Sequence, residues 1–241
     1  LMRLGNTVDY PLTYLGALAA GLVPVPTSAA LTLPEVERII EELSPTLIVR
    51  DAAVTCPETS NQIRLPQLQA MRDLPPVDYH MGDPECLGYV VYTSGTSGKP
   101  RAVAHAHRAI WARQMMFEGW YGLRTDDRVL HAGAFNWTYT MGTGLMDPWT
   151  IGATAMIPAA GTQSDALPTL LANSDATIFA AAPGIYRQML RDHKKLTLPK
   201  LRHGLSAGEK LPSATRTAWN KATGMPIFEA YGMSECSTFL S

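Results

Sequence analysis

The sequence predicts an α/β fold in which mostly parallel sheets are flanked by helices. Short apolar runs such as "TLIVR" (46–50), "ATIFAAA" (176–182) and "RHGLSAG" (202–208) alternate with helical patterns along the chain. Alternating βα units of this length close into a parallel sheet with helices on both faces. Composition agrees: of 241 residues, 46% are hydrophobic and 17% charged, enough to bury a core and too apolar for disorder.

Each element has its own local reason. "PLTYLGALAA" (11–20) reads as a helix and "LVPVP" (22–26) as a short strand. "TLPEVERIIEEL" (32–43) carries a start signal: Thr32 caps, Pro34 suits the first turn, and Glu35 stands where a capping box needs an acid. Residues 51–86 are polar and weakly periodic, which predicts a surface crossing between a first region (1–86) and a second (87–241). "LGYVVY" (87–92) reads as a buried strand and "HAHRAIWARQMMFEGW" (105–120) as a helix, with His105 and His107 capping or packing its start. Met115, Met116, Trp111 and Trp120 form a candidate core stripe. "RVLHAG", "ATAMIP", "ATIFAAA", "RHGLSAG" and "PIFEAYG" are the later strands, with helices near 164–173, 183–193 and 212–223.

Charge and cysteine usage narrow the class. The formal net charge is −1 and there is no basic run, so no nucleic-acid partner is expected. Cys56, Cys86 and Cys236 are far apart and lack metal-ligand spacing, as befits free thiols in a reducing cytoplasm. The most apolar stretch, residues 14–33, is interrupted by Pro24 and Pro26, so a soluble helix, turn and strand fit better than a membrane span.

Ligands of open parallel sheets bind at the carboxyl ends of the strands. Three loops are predicted there: Thr93–Lys99, Ser206–Lys210 and Tyr231–Glu235. The first, within "YTSGTSGKPRAV" (92–103), offers hydroxyl and N–H donors beside one lysine, which can cradle a phosphate. It is not a Walker loop. Two residues rather than four separate Gly95 from Gly98, and Pro100 stands where a magnesium-binding Ser or Thr would be required. Composition alone leaves a phosphate cradle and a plain surface turn both open.

Four segments together resemble the adenylate-forming superfamily of acyl-CoA and aryl-CoA synthetases, luciferases and adenylation domains. They are "YTSGTSGKP" (92–100), "EAYGMSE" (229–235), "LSAGEKLP" (205–212) and "LGALAAGLVPVPTSAALT" (15–32), in the expected order. The resemblance implies two α/β subdomains of that superfamily's large N-terminal domain, incomplete at both ends, without the mobile C-terminal domain. It implies that a carboxylate attacks the α-phosphate of ATP to give an acyl-adenylate and pyrophosphate, followed by transfer to coenzyme A. Thr93, Ser94, Gly95, Thr96, Ser97, Gly98 and Lys99 would then hold the β- and γ-phosphates, where donors stabilise the departing pyrophosphate. Glu235 would bind Mg2+ and Ser234 the α-phosphate. Tyr231 would pack on the adenine beside Gly232, with Gly208 and Glu209 along the other side.

The segment "FNWTYTMGTGLMDPW" (135–149) matches the acid-binding region of that superfamily. Amino-acid-activating members carry an aspartate where this chain has Asn136, and an unpaired buried ammonium costs several kcal/mol, which disfavours an α-amino acid. "TYTMGTGL" (138–145), "SAGEKLP" (206–212) and the closing "FLS" (239–241) most resemble the benzoate and other aryl-CoA ligase branch. Trp137, Tyr139 and Met141, with Ala182, Pro183 and Ala207, would line an apolar pocket that also suits medium-chain acids. Partners are therefore a small carboxylic acid, ATP and coenzyme A, with a homodimer as a further expectation. The rivals are an adenylation module that loads a carrier-protein thiol, and a non-catalytic nucleotide- or acyl-binding homologue. The chain starts at Leu1 in mid-pattern, so a longer parent protein is expected and the 241 residues alone should not complete adenylation.

One prediction tests the loop directly. In the full-length protein, Lys99→Ala should raise the KM for ATP by about tenfold or more while changing the KM for the acid little, measured as pyrophosphate release. An unchanged ATP dependence would remove Lys99 from this role.

Overall fold

The computed structural model describes residues 1–93, 101–193 and 195–239. The chain divides into two compact units, Leu1–Arg108 and Ala109–Ser241.

The first unit holds a three-stranded parallel sheet and an antiparallel pair. Strands β1 (Met2–Arg3), β2 (Ile48–Arg50) and β3 (Gln62–Arg64) lie in that order, with Val49 opposite both Met2 and Ile63. Helices α1 (Asp9–Ala19), α2 (Leu33–Leu43) and α3 (Leu65–Ala70) surround it. The predicted start of α2 is present: the Glu35 carboxylate accepts from the Thr32 N–H at 2.8 Å and from its hydroxyl at 2.6 Å. Val36 and Ile39 then face inward, and Leu1, Val25, Ile39, Ile48 and Val90 share a core. "LVPVP" forms no ladder; only Pro26 bridges to Met2, because its two prolines lack the N–H that a strand must donate.

Strands β4 (Leu87–Thr93) and β5 (Arg101–Ala106) pair antiparallel, with Thr93 opposite Arg101. The sequence expectation of strand, loop and long helix is corrected here. "RAVAHA" continues as a strand, and His105 packs within the pair with its ring 4.8 Å from that of Tyr89, where only the short α4 (Arg108–Ala112) follows. β-Branched and aromatic residues on β4 give β5 a partner edge that outweighs its alanine-rich helical propensity. The proposed stripe also divides: Met116 and Trp120 are buried, whereas Trp111 and Met115 are exposed.

The second unit is a five-stranded, wholly parallel sheet. Its strands are β6 (Arg128–His131), β7 (Thr154–Met156), β8 (Ile178–Ala181), β9 (His203–Ser206) and β10 (Ile227–Glu229), in the spatial order β10-β9-β8-β6-β7. Helices α5 (Thr138–Met141), α6 (Asp147–Thr150), α7 (Leu167–Asn173), α8 (Pro183–Asp192) and α9 (Ser213–Thr223) accompany it, with a π-turn at Gly142–Met146 between α5 and α6.

Alternation along these strands fills two cores. Leu130, Phe179 and Ala181 point to one side with Tyr186, Met189 and Trp219; Val129, Ile178, Ala180 and Leu205 point to the other with Trp120, Tyr121 and Tyr139. Both faces are apolar, as a parallel sheet covered on each side requires. At the amino-terminal edge the buried Asp127 accepts from Arg202 Nη2 at 2.6 Å, from the Thr177 hydroxyl at 2.6 Å and from the Arg124 N–H at 2.8 Å. Asp127, Thr177 and Arg202 each immediately precede a strand, so this cluster staples the starts of β6, β8 and β9.

Close packing fixes β9 against α8. The Tyr186 hydroxyl lies 2.8 Å from the Phe179 carbonyl and 2.9 Å from that of Leu205. A Cβ on Gly204 would stand 2.6 Å from that hydroxyl oxygen. Gly204→Ala should therefore destabilise the protein by about 1–3 kcal/mol, through overpacking. In a Tyr186→Phe background the same change should cost less, since the obstructing oxygen is gone. Urea unfolding of the four proteins of this cycle measures the coupling; additive costs would contradict it.

Candidate active site

Every segment that the sequence singled out in the second unit leaves the carboxyl end of a strand. Trp137, Tyr139 and Met141 follow β6; Ala182 and Pro183 follow β8; Ala207, Gly208 and Glu209 follow β9; Tyr231, Gly232, Ser234 and Glu235 follow β10. Since these strands are parallel and adjacent, one edge of the sheet gathers all four groups. Of the phosphate-cradle residues, Thr93 ends β4 in the first unit, its hydroxyl 3.4 Å from the Arg101 carbonyl, and Ser94–Lys99 lie outside the described residues.

The β9 loop is held from two directions. Glu229 at the end of β10 accepts from the Leu211 N–H at 2.6 Å and from Arg216 Nη2 at 2.7 Å, pinning the loop and the first turn of α9 to the neighbouring strand. Ala207 is buried, and Gly208 turns the chain outward at φ +96°, a conformation that favours glycine. The Glu209 carboxylate extends toward α8, near enough that a Cβ on Gly184 would stand 3.9 Å from it. Negative charge is favoured at that helix N-terminus, where backbone N–H groups lack partners.

The β10 loop presents exposed groups: Tyr231 is 66% solvent-accessible, and Glu235 is also exposed, while Ser234 is half-buried. A turn from Met233 to Cys236, closed by a 2.9 Å N–H···O=C bond, orients Ser234 and Glu235. An open tyrosine ring can take a planar base, and an open carboxylate a hydrated cation. No group of three or more His, Cys, Asp or Glu side chains able to hold a metal occurs among the described residues. Mg2+ bound with substrate phosphates needs only one or two carboxylates, since waters and phosphate oxygens complete its shell. Glu235 alone therefore fits.

The acid-binding candidates differ in exposure. Trp137 is 53% exposed, while Tyr139 and Met141 are buried. Tyr139 lies edge-on to His131 with centroids 4.4 Å apart, and 5.7 Å from Phe239. Trp120 closes the group at 5.0 Å from Phe239. Burial pushes the Tyr139 hydroxyl well above the usual phenol range, so it stays protonated. Asn136 is half-buried and carries no charge.

Sequence reasoning assigned no role to three groups here. His131 ends β6 fully buried; its Nδ1 accepts from the Gly133 N–H at 3.1 Å and its Nε2 has no hydrogen-bond partner among the described residues. Burial lowers its pKa from 6.5 to about 3. Arg113 and Asp147 form a buried ion pair, and the Phe239 ring packs against Tyr139 and against Gly232 of the loop that carries Glu235. The available signal was Asp147, a lone carboxylate inside the apolar run "GTGLMDPW".

The AMP-binding enzyme family matches residues 1–241, and the chain belongs to that family. A 3-hydroxybenzoate–CoA ligase of Aromatoleum sp. (strain CIB) is 29% identical over 242 residues, covering 92% of this chain and 46% of that protein. A 4-hydroxybenzoate–CoA/benzoate–CoA ligase of Rhodopseudomonas palustris is 29% identical over 254 residues, covering 96% of this chain and 47% of the relative. The chain thus spans about half the length of the curated relatives it matches. A benzoate CoA ligase structure from Burkholderia xenovorans LB400 superposes with a TM-score of 0.86 at 24% identity, over 99% of this chain and 51% of that one. The mostly parallel α/β architecture is therefore that of adenylate-forming N-terminal domains. No helix among the described residues is long and apolar enough to cross a membrane.

His131 gives a signed pH prediction. Its folded pKa is depressed, so the neutral ring's contribution is complete above the unfolded pKa of 6.5 and is lost as pH falls toward about 3. The slope approaches ~1.4 kcal/mol per pH unit within that window. His131→Gln should flatten the fall in urea stability between pH 6.5 and 4.5; an unchanged slope would show that His131 is protonated in the fold.

Proposed function

We propose that this chain is the nucleotide- and acid-binding part of an AMP-forming acid–CoA ligase that activates an aromatic carboxylic acid. The carrying observation is the gathering of the β6, β8, β9 and β10 loops at one sheet edge, in a member of the AMP-binding enzyme family. The relatives named as hydroxybenzoate and benzoate ligases support an aryl acid, as does the cluster of Tyr139, Trp120 and Phe239.

The reaction is the one that the resemblance to adenylate-forming enzymes implies. A carboxylate oxygen of the acid attacks the α-phosphorus of ATP, the bond to the bridging oxygen of the β-phosphate breaks, and pyrophosphate leaves. The coenzyme A thiolate then attacks the acyl carbon of the adenylate and AMP departs. Tyr231 stacks on the adenine, with Gly208 and Glu209 along its other side. Ser234 donates to the α-phosphate, and Thr93 with Ser94–Lys99 serves the β- and γ-phosphates. Glu235 would hold Mg2+, which when bound offsets the charge of the phosphate oxygens.

Trp137, Tyr139 and Met141, with Ala182, Pro183 and Ala207, form the acid pocket. Asn136 offers no countercharge to an ammonium, so α-amino acids are disfavoured by the cost of an unpaired buried cation. Three free cysteines suit a reducing cytosol.

Pyrophosphate release by the full-length protein, screened over benzoates, hydroxybenzoates, cinnamates, C4–C12 fatty acids and amino acids, tests this reading. Aromatic acids should give kcat/KM at least about tenfold above the rest. Turnover with amino acids alone would overturn it.

A further inference from the structure

Arg113 opens a 3-10 turn, Arg113–Met116, and is only 3% exposed. Its Nε donates to Asp147 Oδ1 at 2.7 Å and its Nη2 to Oδ2 at 2.7 Å, a bidentate pair with a carboxylate that is 1% exposed. Nη2 also lies 3.3 Å from the Thr143 hydroxyl, and the Tyr121 hydroxyl donates to Asp147 Oδ2 at 2.7 Å. Thr143 and Asp147 belong to the π-turn and α6, which continue directly from Tyr139 and Met141. The carboxylate is thus satisfied by one planar fork and one phenol.

One arm of that fork points elsewhere. Nη1 donates to the backbone carbonyl of Ser237, two residues beyond Glu235, and the guanidinium carbon lies 5.6 Å from the centroid of the Phe239 ring. The Phe239 ring in turn lies against Gly232, where any Cβ would collide with it, and against Tyr139 and Trp120. One buried cation is therefore anchored on the acid-pocket side by Asp147. On the other side it holds the backbone of the loop that carries Tyr231, Ser234 and Glu235.

We propose that Arg113 is a positioning residue for nucleotide use: it fixes the Tyr231–Phe239 loop to the helix turn of the acid pocket. This rests on the reading that the loop binds ATP. A lysine could keep the charge near Asp147, but a single ammonium cannot hold both carboxylate oxygens and the Ser237 carbonyl in one plane. The loop would then lose its register while the substrate-touching side chains stay intact.

The test uses the full-length protein, with Mg-ATP binding measured by titration calorimetry and pyrophosphate release measured at varied ATP and acid. Arg113→Lys should weaken Mg-ATP binding and raise the KM for ATP tenfold or more, while the KM for coenzyme A shifts less than twofold. Phe239→Leu leaves the ion pair intact and should shift ATP binding in the same direction by a smaller factor; it decides the matter if Arg113→Lys does not fold. A purely structural role would lower the unfolding temperature and leave ATP binding unchanged in the folded variants, and that result overturns the proposal. If the unaltered protein binds no Mg-ATP, the underlying reading fails and the proposal with it. Normal ATP binding in the folded variants removes the proposal alone.

Discussion

A parallel sheet covered on both faces leaves polar chemistry nowhere to go but its two ends. In the second unit Val129, Ile178 and Leu205 fill one face while Leu130, Phe179 and Ala181 fill the other. Any charge placed mid-strand would be buried without water, at a cost that few pairings recover. The position of every functional candidate in this unit follows from that exclusion.

The two ends are used differently. At the amino-terminal edge, Asp127 is engaged by Arg202, Thr177 and Arg124 in a cluster that ties the strand starts together. At the carboxyl edge the chain keeps its groups open: an exposed tyrosine and glutamate, a glycine turned outward, and a buried histidine whose Nε2 has no hydrogen-bond partner among the described residues. Stability is concentrated at one edge and chemical readiness at the other. Helix dipoles reinforce the asymmetry, since helices that follow parallel strands direct their amino termini to the carboxyl edge.

Local patterns were legible to the extent that their causes were local. The capping box of α2 needs only Thr32 and Glu35, three positions apart, and it is present. The strands of the second unit announce themselves by apolar runs, because both their faces are buried. By contrast β5 depends on β4 for its edge, and "RAVAHA" taken alone has the composition of a helix. Trp111 and Met115 could not be told from Met116 and Trp120 by spacing, since which face of a short helix meets a core depends on partners elsewhere. The Arg113–Asp147 pair joins residues 34 apart, and its contact with Ser237 spans 124. Sequence motifs marked the residues that could touch substrate; those that hold them in place are distant in sequence and carry no motif.

The strand order has a further consequence for how such a chain acquires its shape. β6 lies between β7 and β8, and β10 joins last, beyond β9. A growing chain can pair β6 with β7 early, yet the opposite side of β6 stays bare until β8 has been made. During that interval an apolar strand shows open backbone donors and acceptors, the condition under which chains adhere to one another. The fold therefore carries a vulnerability in time rather than in space: β6, an interior strand of the finished sheet, waits longest for its second neighbour.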